Sequence, residues 1–107
     1  MMAINQLGYA LGDKGKSFVQ GFGSDPPLKS HHRAASCPKA PTDCSSMLHS
    51  SKPNHWVLYG ALVGGPDIND QYKDVRSDYV MNEVAIDYNA GFQYSVAALK
   101  SILLTRN

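Results

Sequence analysis

A chain of 107 residues is long enough for one small domain and too short for two. Ten basic residues against nine acidic ones leave a net charge of +1, which argues against a clustered basic surface for nucleic acid. With 43% hydrophobic and 18% charged residues the chain reads as globular rather than disordered, it holds no apolar run long enough to span a membrane, and two cysteines are too few for a disulfide framework.

The first element is a helix. Ile4, Leu7 and Leu11 fall on one helical face, Gly8 weakens the segment, and Gly12-Asp13 is placed to stop it. The stretch 1–13 has no basic n-region and no long apolar h-region, so it is not expected to act as a signal peptide. Next, Ser17-Phe18-Val19 and Trp56-Val57-Leu58-Tyr59 read as short extended pieces. Around them lies turn chemistry, at Gly21-Phe22-Gly23, Pro26-Pro27, Pro38, Pro41, Pro53 and Gly64-Gly65-Pro66. The second helix lies at the other end, where Phe92, Val96, Leu99 and Leu103 repeat on one face. Asp87 is its expected N-cap, and Gly91 its expected point of close packing. Two helices cannot bury a core against the entropy of so much loop, so the chain is expected to be part of something larger.

Three groups of residues carry candidate chemistry. The segment from Asp67 to Glu83 interleaves carboxylates with Tyr72 and Tyr79 just before the second helix. Such a mixture suits carbohydrate chemistry, in which acids move protons and aromatic faces stack on sugar rings, and it equally describes a solvated acidic loop. Asp67 and Asn69 fit the first ligands of a calcium loop, but Tyr72 stands where that loop turns on glycine. His31-His32-Arg33 offers imidazoles beside a planar guanidinium, or ordinary surface polarity. Cys37, Cys44, His49 and His55 loosely resemble a zinc set, although the cysteine spacing is long for one. A Cys37–Cys44 disulfide is the competing reading, since Pro38 and Pro41 bend the intervening chain.

The run Tyr72, Asp74, Asp78, Tyr79, Asn82, Glu83, Ala85, Asp87, Tyr88, Asn89, Ala90, Gly91 and Phe92 resembles the C-terminal motif of family 9 glycoside hydrolases, which are cellulases. The upstream run from Ser17 through Gly21, Gly23, Pro26 and Pro27 to His31, His32 and Arg33 resembles that family's other C-terminal motif. The stretches 57–67 and 6–13 are similar to family sequence in the same order. The resemblance implies a mainly α fold in which residues 1–107 form the C-terminal portion of an (α/α)₆ barrel. Two terminal helices would be joined by long cleft-forming loops.

It also implies an endo-β-1,4-glucanase that hydrolyses internal bonds of cellulose or a related glucan with inversion. Glu83 matches the general acid. Asp74, the second candidate of the catalytic segment, and Asp78 match positions that hold the loop presenting Glu83. His31, Arg33 and Tyr88 match residues that bind the sugar beside the cleaved bond, and His32 matches a structural position. The implied partner is the glucan, with no cofactor, metal, nucleic acid or membrane, and the implied location of the parent enzyme is extracellular. Gln20, Asp25 and Ser30 depart from the upstream motif. The Asp-Ala-Gly-Asp type segment that carries the family's base does not occur in the sequence. Inversion needs two carboxyls about 6.5–9.5 Å apart, so the chain alone is expected to be inactive. A glucan-binding remnant without catalysis, or a truncated remnant without function, stands as the alternative.

Overall fold

The computed structural model describes residues 2–106. Helix is the only extended regular element among them: α1 spans Met2–Leu11, α2 Arg33–Ser36, α3 Tyr79–Asn82 and α4 Ile86–Thr105. The first and last are the helices that the periodicity predicts, and α1 packs against α4. The two single-turn helices have no periodic signature, because four residues are too few to show one. Among the described residues no helix is long and apolar enough to cross a membrane.

Gly12 ends α1 as its position predicts. Its φ of 105° is left-handed, and the Asp13 amide donates back to the Gly8 carbonyl at 2.9 Å, closing a Schellman-type cap. The start of α4 differs from expectation. Ala85 is the capping residue and makes no side-chain cap bond, while Asp87 lies inside the first turn. There its carboxylate faces the positive end of the helix dipole instead of bonding a free amide. Gly91 is not a close-packing point either, since a Cβ on it would meet nothing within 4 Å.

Between the terminal helices the chain is held by short backbone pairings. Val19 pairs antiparallel with Leu62, Val63 antiparallel with Val84, and His31 parallel with Glu83. The 62–64 stretch is therefore central, with residues 17–20 on one side and 83–84 on the other. Ser17-Phe18-Val19 enters this patch as the expected extended piece. Trp56–Tyr59 does not: it runs into a turn closed by the Ala61 amide on the Leu58 carbonyl at 3.0 Å. The Gln20 side chain takes the Leu58 amide at 3.3 Å and the Gln20 carbonyl takes the Gly60 amide at 2.9 Å.

The apolar core is small, with Phe18, Val19, Ala35 and Val63 buried. Phe18 sits between the rings of Tyr9 and Tyr72, at 5.4 and 5.2 Å between centroids. Six polar residues are buried beside it: Ser17, Gln20, Ser30, Ser36, Arg76 and Asn82. Hydrogen bonds therefore carry much of the loop organisation.

Candidate active site

Glu83 follows the last residue of α3, and several independent ties fix its backbone. Its amide donates to the Tyr79 carbonyl at 3.0 Å, and its carbonyl accepts from the Gly64 amide at 2.9 Å. Gly64 has to be glycine for this approach, because a Cβ there would overlap the Val80 carbonyl. Asp78 caps the N-terminus of α3 by accepting from the Met81 amide at 3.2 Å. The Glu83 side chain is exposed, and its carboxyl makes no hydrogen bond among the described residues.

The residue before Glu83 is the strongest anchor. Asn82 is fully buried, and its amide donates to the carbonyls of Lys73, Val75 and Asp78 at 2.8, 2.9 and 3.2 Å. Its side-chain oxygen accepts from the Tyr72 hydroxyl. Burial first, and then the charges of Asp74 and Asp78, push the Tyr72 phenol well above its ordinary pKa, so it stays protonated as this bond requires. One amide thus ties together the whole 72–83 segment.

The upstream segment is joined to it at three places. The His31 amide donates to the Asn82 carbonyl at 2.7 Å, alongside the parallel pairing with Glu83. The His31 ring bonds the Arg76 carbonyl through Nδ1 at 2.7 Å and lies 6.2 Å from the Tyr79 ring. Asp74 accepts the amides of Leu28 and Lys29 at 2.8 and 3.0 Å, clamping the loop that leads into His31. Both carboxylate oxygens of Asp74 are engaged in this clamp. Segments some fifty positions apart in sequence therefore converge on Glu83.

His32 caps α2, its Nδ1 accepting from the Ala35 amide at 3.1 Å. Arg33 opens α2 and is exposed. His31, His32 and Arg33 line one side of a hollow of about 380 Å³, and Asp43, Cys44 and Met47 line the other. Tyr88 does not line that hollow; it lies in the first turn of α4, partly exposed. The loop opposite Arg33 is closed by a disulfide between Cys37 and Cys44, whose Cα atoms are 5.1 Å apart. Bonded sulfurs are not thiolate ligands, so the zinc reading of Cys37, Cys44, His49 and His55 falls. The Ser45 hydroxyl and amide hold the Asp43 carboxyl below its usual range. Asp67 accepts the amides of Asn69 and Gln71, both at 2.9 Å, so it shapes its own turn.

Arg76 is the site residue that the motif reading passed over. It is buried, and its guanidinium donates to the Asn54 side chain at 2.7 Å and to the carbonyls of Met47, Ser50 and Lys52 at 2.6, 2.9 and 2.7 Å. Burial lowers its pKa and the nearby Asp74 raises it. The three departures from the upstream motif are anchored too. Ser30 accepts from the Asn54 amide at 2.9 Å, Gln20 takes the Leu58 amide, and Asp25 pairs with Lys16 at 3.4 Å.

Comparison with known proteins gives one answer. Residues 1–96 match glycosyl hydrolase family 9. The chain is 50% identical to endoglucanase B of Cellulomonas fimi over 99 residues, covering 90% of this chain and 9% of that protein. It is 48% identical to endoglucanase 4 of Bacillus sp. strain KSM-522 over 101 residues, which is 92% of this chain and 15% of that one. Its structure superposes on the endoglucanase of the termite Nasutitermes takasagoensis with a TM-score of 0.85 and 63% identity, covering 90% of this chain and 22% of the termite chain. It also superposes on the endoglucanase CelQ of Clostridium thermocellum in complex with cellotriose, with a TM-score of 0.76 and 44% identity, over 90% of this chain and 16% of that one. The chain thus spans between 9% and 22% of the length of these relatives. It belongs to glycosyl hydrolase family 9.

Proposed function

We propose that this chain supplies the acid half of an endo-β-1,4-glucanase active site. The observation that carries the proposal is the backbone pairing of His31 with Glu83, which joins the separately anchored segments that bear the histidine and the glutamate. In this reading Glu83 protonates the glycosidic oxygen as the bond breaks, and a carboxylate outside these 107 residues activates water for an inverting attack. His31 and Arg33 hold the sugar beside the cleaved bond, and Tyr88 offers an aromatic face to the same subsite. Asp74 acts through the loop it clamps, since both its oxygens are occupied by the Leu28 and Lys29 amides.

The CelQ relative binds cellotriose, which supports a β-1,4-glucan as the substrate class. The terminal helices α1 and α4 are read as parts of a larger (α/α)₆ barrel. We also place the parent enzyme outside the cell, a reading that the Cys37–Cys44 disulfide supports, since such bonds persist in oxidising compartments.

The test uses a complete domain, made by replacing the matched stretch of the termite endoglucanase with this chain. Glu83→Gln in that graft should lower kcat by about 10²–10⁴-fold, because the amide keeps the size but cannot give up an acid proton. Cellotriose binding should survive. Unchanged turnover in Glu83→Gln would refute the assignment. Binding without turnover in the unmutated graft would favour the reading of this segment as a glucan-binding remnant.

A further inference from the structure

Arg76 holds a buried positive charge against neutral acceptors only, which are three backbone carbonyls and one side-chain amide among the described residues. A buried charge costs several kcal/mol unless it is well hydrogen-bonded, and these four bonds, with the charge of Asp74 nearby, offset that cost only while the acceptors stay in place. The four acceptors all come from residues 47–54, which continue the disulfide-closed loop on the far side of the hollow from Arg33. The guanidinium therefore fixes where the Arg76 backbone sits relative to that loop.

The Arg76 carbonyl accepts from His31. A carbonyl oxygen can only accept, so the 2.7 Å contact requires a proton on His31 Nδ1. In neutral imidazole that leaves Nε2 with a bare lone pair. The main chain of His31 is fixed separately, by its amide on the Asn82 carbonyl at 2.7 Å. Backbone and ring are thus held by two different residues of the segment that carries Glu83.

We propose that Arg76 is a positioning residue which, by clasping the 47–54 loop, holds its carbonyl on His31 Nδ1 and thereby presents His31 Nε2 as an acceptor to a glucan hydroxyl. The proposal rests on the hydrolase reading for the identity of the ligand. It predicts a tautomer, which can be observed without turnover. A merely structural arginine would stabilise the loop and leave the imidazole tautomer unaffected.

The experiment uses the grafted full-length domain with ¹⁵N-labelled histidine, the His31 resonances being assigned by their loss in His31→Gln. Neutral His31 should carry its proton on Nδ1. Arg76→Lys keeps the charge but reaches fewer acceptors. It should shift His31 to a mixture of tautomers and weaken cellotriose binding about tenfold, the cost of one hydrogen bond to a well-placed acceptor. The rise in KM should exceed the fall in kcat. If Arg76→Lys does not fold, Asn54→Ala, which releases the guanidinium Nε and the Ser30 contact, carries the same readouts. A proton on Nε2 in the unmutated protein, or an unchanged tautomer in the folded variant, overturns the proposal. Turnover that ignores Glu83→Gln while His31 responds to Arg76→Lys would sink the assignment of Glu83 as the acid and leave the positioning role standing.

Discussion

Asn82 shows how a single side chain can set the geometry of its neighbour. Removing its amide takes one hydrogen bond from each of the Lys73, Val75 and Asp78 carbonyls, which keep a backbone amide, and leaves the half-buried Tyr72 hydroxyl without its acceptor. Asn82→Ala should therefore destabilise the complete domain by about 2–4 kcal/mol, read as a lower urea midpoint with unchanged slope. Tyr72→Phe removes one of these bonds and should cost only about 1 kcal/mol. Equal losses from the two substitutions would mean that Asn82 has no role beyond its bond to Tyr72. Glu83, His31 and Arg33 are singled out by the resemblance to the family's motifs, since their residue types alone fit a solvated loop or surface polarity equally well. The sequence hides Asn82 and Arg76, because their roles depend on carbonyls that converge only after the loops fold. Gln20, Asp25 and Ser30, where the sequence departs from the family motif, turn out to be tied to Leu58, Lys16 and Asn54. The course of that loop is thus secured by different contacts.

At the scale of elements, local chemistry was readable and pairing across the chain was not. The apolar repeats and Gly12 locate α1 and α4, because a 3.6-residue period and a left-handed stop act within one turn. Trp56–Tyr59 is apolar enough for a strand, yet Gln20 takes the Leu58 amide and the Gly60 amide just beyond it, and the segment runs into a turn. The disulfide loop has little regular structure, so its order depends on Cys37–Cys44 and on the Arg76 clasp. Replacing both cysteines by serine should cost about 2.5 kcal/mol in the chain-entropy treatment, seen as a lower Tm that added reductant does not lower further. A Tm equal to that of the oxidised protein would show that the clasp alone orders the loop. The tie between α1 and the 67–71 turn is a hydrogen bond from the Tyr9 hydroxyl to Asp70, and it pushes the Tyr9 phenol up to about 12. The phenol has to be protonated to donate, so this tie contributes stability below pH 10 and loses it as pH rises through 10 to about 12. Ultraviolet titration should show two late-ionising tyrosines, Tyr9 and Tyr72, of which one disappears in Tyr9→Phe and moves toward the ordinary value in Asp70→Asn.

The whole molecule does not close upon itself. Its accessible surface is 7483 Å², against roughly 5,800 Å² for a compact monomer of this mass. Its radius of gyration is 15.3 Å, where about 13 Å is usual for this length. Part of the exposed apolar surface lies on α4. No residue of α4 is buried, and Ile86, Tyr94 and Leu104 are 92%, 78% and 70% exposed. A helix of this length in water owes most of its stability to packing, so α4 has little reason to persist alone. The relatives that superpose on the chain are four to six times longer, and in the proposed barrel their remaining helices would cover these faces. The purified 107-residue chain should therefore bind a hydrophobic dye, associate as its concentration rises, and show less helix by circular dichroism than the 20 residues of α4 and the 10 of α1 require. It should not hydrolyse carboxymethyl cellulose. A second carboxylate at inverting distance is needed, and a misplacement of 1 Å already costs about 10²-fold. Grafted into the termite scaffold, the same residues should give a cooperative unfolding transition and Glu83-dependent turnover. A monomeric, dye-free chain that cleaves the polymer by itself and loses that activity in Glu83→Gln would show that the base lies within these residues, and Asp70 would be the first to replace, by Asn, in search of it.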